Sequence, residues 1–368
     1  MAKTKLHELL ELGQSVWMDY ISRSLITSGD LRDYVDKGLR GMTSNPSIFK
    51  QAISGGEAYD DDLKKLVTEG KEVKEIYEAI AIKDIQMAAD VMRLVYEESQ
   101  REDGYISLEV DPRLAHDTKG TILEARSLAK RVNRPNVYIK IPATKEAIPA
   151  IESMVSEGYN INITLMFSLE QYDDVAEAYI SGLEKLADEG GDLSKVTSVA
   201  SFFVSRVDVM VDERLEDLDS PAAEELKGKI GIANGKVAYQ RFKDTFKGDR
   251  WKRLEEQGAH LQRVLWASTS TKNPNYPDTL YADNLIGPHT VNTLPPETIE
   301  AFLDHGTVAP TLEKNLDQAR EQLQKLADLG IDLDQVTDDL MVEAVEKFVS
   351  PFEALLGAIE EKCERMAV

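Results

Sequence analysis

The 368-residue chain has a single cysteine, Cys363, and no long hydrophobic run. One cysteine excludes a disulfide framework and is typical of a reducing compartment. No apolar stretch is long enough to span a bilayer, and the first residues mix leucine with histidine and glutamate, unlike the apolar core of a signal peptide. These features predict a cytoplasmic protein that has no membrane partner.

Positive charge is also scarce. The chain has 43 lysine and arginine residues against 66 aspartate and glutamate residues, so its formal net charge is −23. A protein this acidic is poorly suited to bind nucleic acid or an anionic membrane as its main task. An anionic substrate would therefore need a pocket that is locally basic.

Several familiar cofactor motifs are missing. The five histidines are scattered without H-E-x-x-H or another metal-ligand spacing, and there is no G-x-x-x-x-G-K-[ST] loop. No G-x-G-x-x-G follows a predicted strand, which disfavours a dinucleotide site in a doubly wound open sheet. We therefore expect no metal and no cofactor.

Strand patterns instead alternate with helical ones, about eight of each. This count and the length predict an α/β fold, a (β/α)₈ TIM barrel with additional helices, while a doubly wound sheet is the alternative. We predict one domain over 1–368, with extra C-terminal helices over about 311–368. The last of these helices, 338–366, would be kinked or interrupted at Pro351. The extra length around 215–260 has no function that we can derive. The predicted strands lie at 15–19, 39–43, 105–110, within 135–144, and at 160–165, 195–201, 262–268 and 289–292.

The fourth strand contains a lysine, Lys140, among β-branched and aromatic residues. A buried ammonium is costly, so such a lysine tends to find a partner or lose its proton. The unprotonated amine is a nucleophile that can form a Schiff base with a carbonyl group. On this stretch alone, a lysine that reaches out of the strand end or pairs with a carboxylate is the simpler interpretation.

Polar residues recur at the carboxyl ends of the other predicted strands. In a barrel these ends meet at one mouth, where functional residues gather. Any one of them could be an ordinary polar residue at a strand end, but strand interiors in this fold are otherwise apolar. The residues concerned are Asp19, Thr43, Asn45, Glu109, Lys140, Asn162, Thr164, Ser201 and Ser268.

This set suits Schiff-base chemistry at a ketone. Glu109, or a water held by Glu109 and Thr164, could carry the protons of dehydration, and Asp19 could act as general base on a substrate hydroxyl. Asn45 and Asn162 would hold substrate hydroxyls. The iminium itself accepts electrons, so the reaction needs no metal.

Two basic residues could bind phosphate. Arg206 follows the sixth strand at the start of a predicted helix, where an anion is favoured, and Lys272 lies in the loop after the seventh strand. The alternatives are an ion pair of Arg206 with Asp208 or Glu213, and a solvated Lys272.

Five stretches of the sequence resemble the motifs of transaldolases, in the order of that family and across most of the chain. Those around T-S-N-P-S and I-K-I-P-A-T are specific to transaldolases and their close aldolase relatives. The stretches are G-M-T-S-N-P-S-I-F (41–49), S-L-E-V-D-P-R (107–113), V-Y-I-K-I-P-A-T (137–144), N-I-T-L-M-F-S (162–168) and S-F-F-V-S-R-V-D (201–208).

The resemblance implies a class I Schiff-base transferase of the pentose phosphate pathway that acts on phosphorylated sugars. It would move a dihydroxyacetone unit from sedoheptulose 7-phosphate to glyceraldehyde 3-phosphate, giving erythrose 4-phosphate and fructose 6-phosphate. By this likeness Lys140 forms the Schiff base and Asp19 is the acid/base group for carbon–carbon cleavage. The remaining implied roles are a catalytic water on Glu109 and Thr164, substrate binding by Asn45, Asn162 and Ser201, and phosphate binding by Arg206.

The chain departs from the family pattern after the seventh strand. Some members have a second arginine there in A-S-F-R-N, whereas 267–273 reads A-S-T-S-T-K-N, so Lys272 could replace that arginine and Ser268 would be a substrate contact.

A fructose 6-phosphate aldolase that releases free dihydroxyacetone is the alternative enzyme. A catalytically silent barrel that only binds a partner is the alternative of another class. We expect a monomer or a homodimer.

Overall fold

A computed structural model describes residues 3–55 and 57–367, so four residues of the predicted domain 1–368 lie outside the described residues: Met1, Ala2, Gly56 and Val368. Eight parallel strands form a closed barrel in which each strand pairs with its neighbours in chain order and the first pairs with the last. The prediction of a TIM barrel is confirmed. The strands are β1 Gln14–Met18, β2 Gly41–Met42, β3 Tyr105–Glu109, β4 Val137–Pro142, β5 Ile161–Met166, β6 Ser198–Phe203, β7 Gln262–Ala267 and β8 Thr290–Leu294.

Helices surround the barrel and extend beyond it at the carboxyl end of the chain. They are α1 Lys5–Glu11, α2 Arg23–Ser28, α3 Asp30–Asp36, α4 Pro46–Ser54, α5 Asp60–Thr68, α6 Val73–Val91, α7 Arg93–Glu98, α8 Thr118–Val132, α9 Ile148–Ser156, α10 Leu169–Asp188, α11 Ser205–Glu216, α12 Pro221–Glu224, α13 Ile230–Thr245, α14 Asp249–Glu255, α15 Leu280–Asn284, α16 Pro296–His305, α17 Leu316–Asp328 and α18 Leu333–Ala367. Among the residues described, none of these helices has the length and apolarity needed to cross a membrane.

The amino-terminal half of the barrel interior is filled by aromatic rings. Tyr105 and Tyr138 stack with ring centroids 4.2 Å apart, and the Trp17 and Tyr138 ring centroids are 5.9 Å apart. Below them, the Asp103 carboxylate accepts hydrogen bonds from Ser15, Trp17 and Arg263. The bottom of the barrel is therefore a packed and hydrogen-bonded plug.

Strand β5 contains a bulge beside the mouth. Its register with β6 shifts between Ile163 and Met166, and Leu165 adopts a left-handed φ of 58°. Leu165 packs in the same cluster as Trp17, while Thr164 lines the cavity at the mouth. Thr164 and Leu165 are consecutive, yet one lines the cavity and the other packs in the cluster that contains Trp17. Strict alternation of side chains along a strand would not permit this, and the bulge accounts for it.

The predicted beginnings of β6 and of the last helix were wrong by three or more residues. Strand β6 begins at Ser198 rather than 195, because Leu193–Lys195 forms a 3₁₀ turn that the Asp192 side chain caps. The last helix begins at Leu333 rather than 338 and continues through Pro351 to Ala367, so it is not interrupted at that proline, while a kink there stays a prediction. This 35-residue helix packs against α4, α5, α6 and α11.

Candidate active site

A cavity of about 290 Å³ opens at the carboxyl ends of the strands. It brings together most of the side chains that the sequence placed at one mouth. Glu109 and Asn162 do not line the cavity themselves; each contacts a residue that does. The predicted residues on the cavity wall are Asp19, Thr43, Asn45, Lys140, Thr164, Ser201, Arg206, Ser268 and Lys272.

Lys140 is buried at the carboxyl end of β4, with 5% of its surface exposed. Its Nζ lies 3.3 Å from the Ser44 carbonyl oxygen and 3.6 Å from Glu109 Oε2, and 5.7 Å from the ring centre of Phe348. The side chain therefore does not reach into solvent. It has a carboxylate neighbour, but at a separation that leaves the amine accessible to a molecule in the cavity.

Glu109 is the register partner of Lys140 on β3. Burial raises the pKa of its carboxyl from 4.5 to about 7, although the Lys140 ammonium opposes this and the Asp19 carboxylate adds to it. Its Oε2 atom has no hydrogen bond from the described residues. A carboxyl with a pKa near neutrality can both give and take a proton in the working pH range.

Asp19 follows β1 and is held at the mouth from two sides. Its backbone N–H donates to the Leu294 carbonyl at 2.8 Å, and its Oδ1 accepts a hydrogen bond of 2.7 Å from the Thr43 hydroxyl. The Thr43 and Thr293 hydroxyl oxygens lie 2.9 Å apart. This arrangement fixes the orientation of the carboxylate, which a positioned general base requires.

Asn162 and Ser201 form a buried hydrogen-bonded pair across β5 and β6. The Ser201 hydroxyl donates to Asn162 Oδ1 at 2.7 Å, and Asn162 Nδ2 donates to the Ser107 hydroxyl at 3.0 Å. Asn162 has no exposed surface, so in this arrangement it orients Ser201, and Ser201 faces the cavity. Thr164, also on the wall, has a buried hydroxyl without a hydrogen-bond partner among the described residues, so this group can bond a molecule in the cavity.

Asn45 has a structural role as well as a place on the wall. Its Oδ1 accepts the Ile48 N–H at 3.0 Å and caps helix α4, whose first residue is Pro46. Asparagine before proline is a favourable helix start, because the side-chain oxygen satisfies a free N–H and proline needs no partner there. The Asn45 amide nitrogen makes no hydrogen bond within the described part of the chain.

Arg206 lies in the first turn of α11, between two aromatic rings. Its guanidinium carbon is 5.4 Å from the ring centre of Phe203 and 5.8 Å from that of Phe348. Burial lowers the pKa of Arg206, and its Nη1 atom has no hydrogen-bond partner among the described residues. The alternative pairing with Asp208 is not observed, because that carboxylate accepts the Gly231 N–H instead.

Lys272 comes close to Arg206 from the loop after β7. Burial and the positive charge of Arg206 both lower the pKa of Lys272, and its ammonium donates to the Ser270 hydroxyl at 2.7 Å. Ser268, in the left-handed conformation with φ 53°, has its hydroxyl 2.8 Å from that of Ser205. The loop after β7 therefore lines the cavity, although the Lys272 side chain is itself exposed.

The sequence did not indicate two cavity residues from α18, Lys347 and Phe348. Phe348 covers both Lys140 and Arg206, and Lys347 adds a third positive charge to the wall, although it is ion-paired with Glu343. Thr293, which the sequence also did not indicate, lines the cavity as well. No group of three or more histidine, cysteine, aspartate or glutamate side chains in the described ranges is placed to hold a metal ion.

Known proteins match this chain over almost its whole length. The family described as Transaldolase/Fructose-6-phosphate aldolase matches residues 16–359. A protein of Trichodesmium erythraeum named Transaldolase is 47% identical over 377 aligned positions, covering 100% of this chain and 99% of the relative. A Transaldolase 2 of Nostoc punctiforme is 46% identical and covers 98% of each chain, and a Transaldolase of a Parafrankia species is 48% identical and covers 97% of each.

Proposed function

Since this chain belongs to the transaldolase/fructose-6-phosphate aldolase family, we propose that it transfers a dihydroxyacetone unit between sugar phosphates through a Schiff base on Lys140. The enzyme is a transferase. The observation that carries the assignment of Lys140 is its burial beside Glu109, 3.6 Å away, on the wall of a cavity that Asp19 also lines. Amine, proton carrier and general base are then within reach of one bound ketose.

The first stage forms the Schiff base. The unprotonated Lys140 amine attacks the ketone carbon of the donor, and the carbonyl oxygen leaves as water after it has been protonated. Glu109 supplies and removes these protons, directly or through a water held with Thr164. Its pKa of about 7 supports this role, because both protonation states are populated near neutrality.

The second stage breaks the carbon–carbon bond. Asp19 takes the proton of the substrate hydroxyl next to that bond, an aldehyde forms, and the bonding electrons move into the iminium to give an enamine. The acceptor aldehyde reverses this sequence: the enamine carbon attacks it and Asp19 returns the proton to the new alkoxide. Hydrolysis of the second iminium then releases the product ketose and the free amine.

Substrate binding divides into a hydroxyl part and a phosphate part. Asn45, Ser201 and Ser268 supply neutral hydrogen-bonding groups, and Asn162 acts by orienting Ser201. The phosphate binds between Arg206 and Lys272, with Lys347 facing the same cavity. An unpaired, half-buried guanidinium supports this proposal, since a phosphate would supply the bidentate partner that Arg206 lacks.

Borohydride trapping tests the proposal. The enzyme is incubated with fructose 6-phosphate, reduced, digested and analysed by mass spectrometry. We expect a dihydroxyacetone adduct on Lys140 alone. Active, folded enzyme without an adduct would contradict the Schiff-base assignment. Turnover of fructose 6-phosphate without an acceptor aldehyde, at the rate seen with one, would instead indicate the aldolase activity of the same family.

The proposal includes three further properties of the protein. They are a single domain over 1–368, a cytoplasmic location and a monomeric or dimeric state. Sedimentation velocity of the purified enzyme tests the last of these. A trimer or larger assembly would contradict it.

A further inference from the structure

A second cavity, of about 300 Å³, lies outside the barrel between α13, α15 and α17. It shares no lining residue with the active-site cavity. One of its walls is the beginning of α13, within the segment 215–260 for which the sequence suggested no purpose. Three lysines line this cavity, Lys227, Lys229 and Lys236, and no described carboxylate does so. In a chain of net charge −23, a cavity whose described charged residues are all basic is unusual.

Two of these lysines form no ion pair within the described part of the chain. Lys227 is paired with Glu224 at 2.8 Å and Glu216 at 3.6 Å, but Lys229 and Lys236 form no ion pair with any described residue. Lys229 donates to the Glu225 carbonyl, and Lys236 donates to the Lys314 carbonyl at 2.8 Å. The nearby charge of Lys314 is itself positive and, with burial, lowers the pKa of Lys236.

Lys236 is the buried member, with 8% of its surface exposed. An ammonium group has three N–H donors, and one carbonyl oxygen satisfies only one of them. A buried ammonium without a carboxylate is costly, and an anion in the cavity would remove most of that cost.

The beginning of α17 adds partial positive charge to the same wall. Its N-cap residue, Asn315, has a left-handed φ of 57° and makes no side-chain cap hydrogen bond. Asn315 and Gln318 both line the cavity. The free N–H groups of a 13-residue helix therefore begin at a wall that already has two unpaired ammonium groups.

The opposite wall is apolar. Ile232, Pro277 and Leu280 contribute aliphatic surface, and the ring of Tyr276 is fixed because its hydroxyl donates to Asp212 Oδ2 at 2.7 Å. The cavity thus offers a cationic end and an apolar flank, which is the usual construction of a small-molecule site.

We propose that this cavity is a second binding site that takes a small phosphate monoester with an apolar or aromatic body. Two ammonium groups and an uncapped helix end suit a dianion with three acceptor oxygens. The phosphate would lie against Lys229 and Lys236, and the organic body against Tyr276 and Leu280.

Calorimetric titration with phenyl phosphate tests the proposal. The protein is Arg206→Met, in which phosphate binding at the active site is weakened. We expect Arg206→Met to bind one phenyl phosphate outside the active site. Adding Lys236→Met should lower the affinity at least about tenfold, because a charge-assisted hydrogen bond is lost. Lys243→Met is the matched control: Lys243 lies two turns further along α13 but is paired with Glu313, and its loss should leave the affinity unchanged.

Single Lys236→Met protein should keep its transaldolase activity, which shows that it is folded and separates this proposal from the assignment of Lys140. If the variant does not fold, Lys229→Met at an exposed position provides the same test, with a several-fold loss expected. Phenyl phosphate that fails to bind Arg206→Met, or binds it equally with and without the lysine substitution, would overturn the proposal.

Discussion

Lys140 and Glu109 are register partners on β4 and β3, and their Nζ and Oε2 atoms lie 3.6 Å apart in the barrel interior. This pair is too far apart for a good hydrogen bond and too buried to be solvated. The positive charge of Lys140 therefore opposes the rise in the pKa of Glu109, and a bound carbonyl compound can still approach the amine. The first two predictions concern this pair.

Lys140→Met should fold and be inactive. Methionine replaces a buried amine with an apolar side chain of similar length, and the neighbouring Glu109 can remain protonated, so we expect no loss of stability. Activity should fall by at least about 10⁴-fold, because the nucleophile is gone. Urea unfolding and a coupled transaldolase assay measure the two effects. An unfolded variant would mean that the amine has a structural role.

Glu109→Gln should change the pH dependence of stability. The pKa of Glu109 rises from 4.5 to about 7 on folding, so between these values the folded protein holds a proton that the unfolded chain has lost. This group therefore favours folding most at acid pH, and its contribution declines as pH rises through about 7. As pH rises from 4.5 to 8, the free energy of unfolding of the variant should increase by roughly 2–3 kcal/mol relative to that of the wild type. Unfolding free energies that change in parallel over this range would contradict the expectation.

Asp19→Asn should separate the two stages of the reaction. Schiff-base formation needs Lys140, whereas cleavage needs the carboxylate, so borohydride should trap a hexose-sized adduct instead of a dihydroxyacetone adduct. Turnover should fall by about 10²- to 10⁴-fold. Thr43→Val, which removes the 2.7 Å hydrogen bond to Asp19 and the contact with the Thr293 hydroxyl but keeps the carboxylate, is the control and should cost much less. A dihydroxyacetone adduct in Asp19→Asn would exclude this residue as the cleavage base.

Lys347→Met should weaken the binding of phosphorylated substrates. Lys347 faces the cavity that Arg206 and Lys272 line, so its loss should raise the KM for fructose 6-phosphate several-fold with little change in kcat. Unphosphorylated fructose should show no such change. Lys325→Met, an exposed position on α17, is the matched control. Equal effects on the two sugars would mean that Lys347 acts on the fold and not on the phosphate.

Gly41→Ala should destabilise the barrel. A Cβ atom there would lie 2.6 Å from the Trp17 ring, and that ring is fixed in the stack with Tyr138. We expect a loss of about 1–3 kcal/mol on thermal or urea unfolding. Gly357→Ala, where a Cβ would meet nothing within 4 Å in helix α18, should instead gain about 0.5–1 kcal/mol. A tolerated Gly41→Ala would show that the ring stack can move.

The sequence predicted the order of the barrel elements and most of the cavity wall. The reason is local: a lysine or carboxylate within a β-branched run conflicts with burial, so Lys140 and Glu109 are conspicuous without any knowledge of the fold. The parallel barrel then requires such strand ends to meet, and the structure places Asp19 and Lys140 on one cavity.

What the sequence could not predict depends on contacts between distant segments. Phe348 and Lys347 occur in an ordinary amphipathic helix, and only the packing of α18 on α11 and α4 brings them to the mouth. The bulge at Leu165 requires a left-handed φ, but the residue there is leucine and not glycine, so nothing in the sequence signals it. The sequence analysis also missed that the side-chain oxygen of Asn45 caps α4, because the Asn-Pro signal was interpreted only as part of a site motif.

The position of Lys347 and Phe348 also affects how the enzyme is made. Ribosomes deliver the chain from its amino end, so the eight strands, ending at Leu294, emerge well before the segment that closes over Lys140. Until that segment emerges, Lys140 lacks the aromatic cover of Phe348 and the cavity lacks the positive charge of Lys347. If Lys140 is the nucleophile that we propose, a chain that ends before α18 would leave that amine without its cover and the proposed phosphate site without one of its cations.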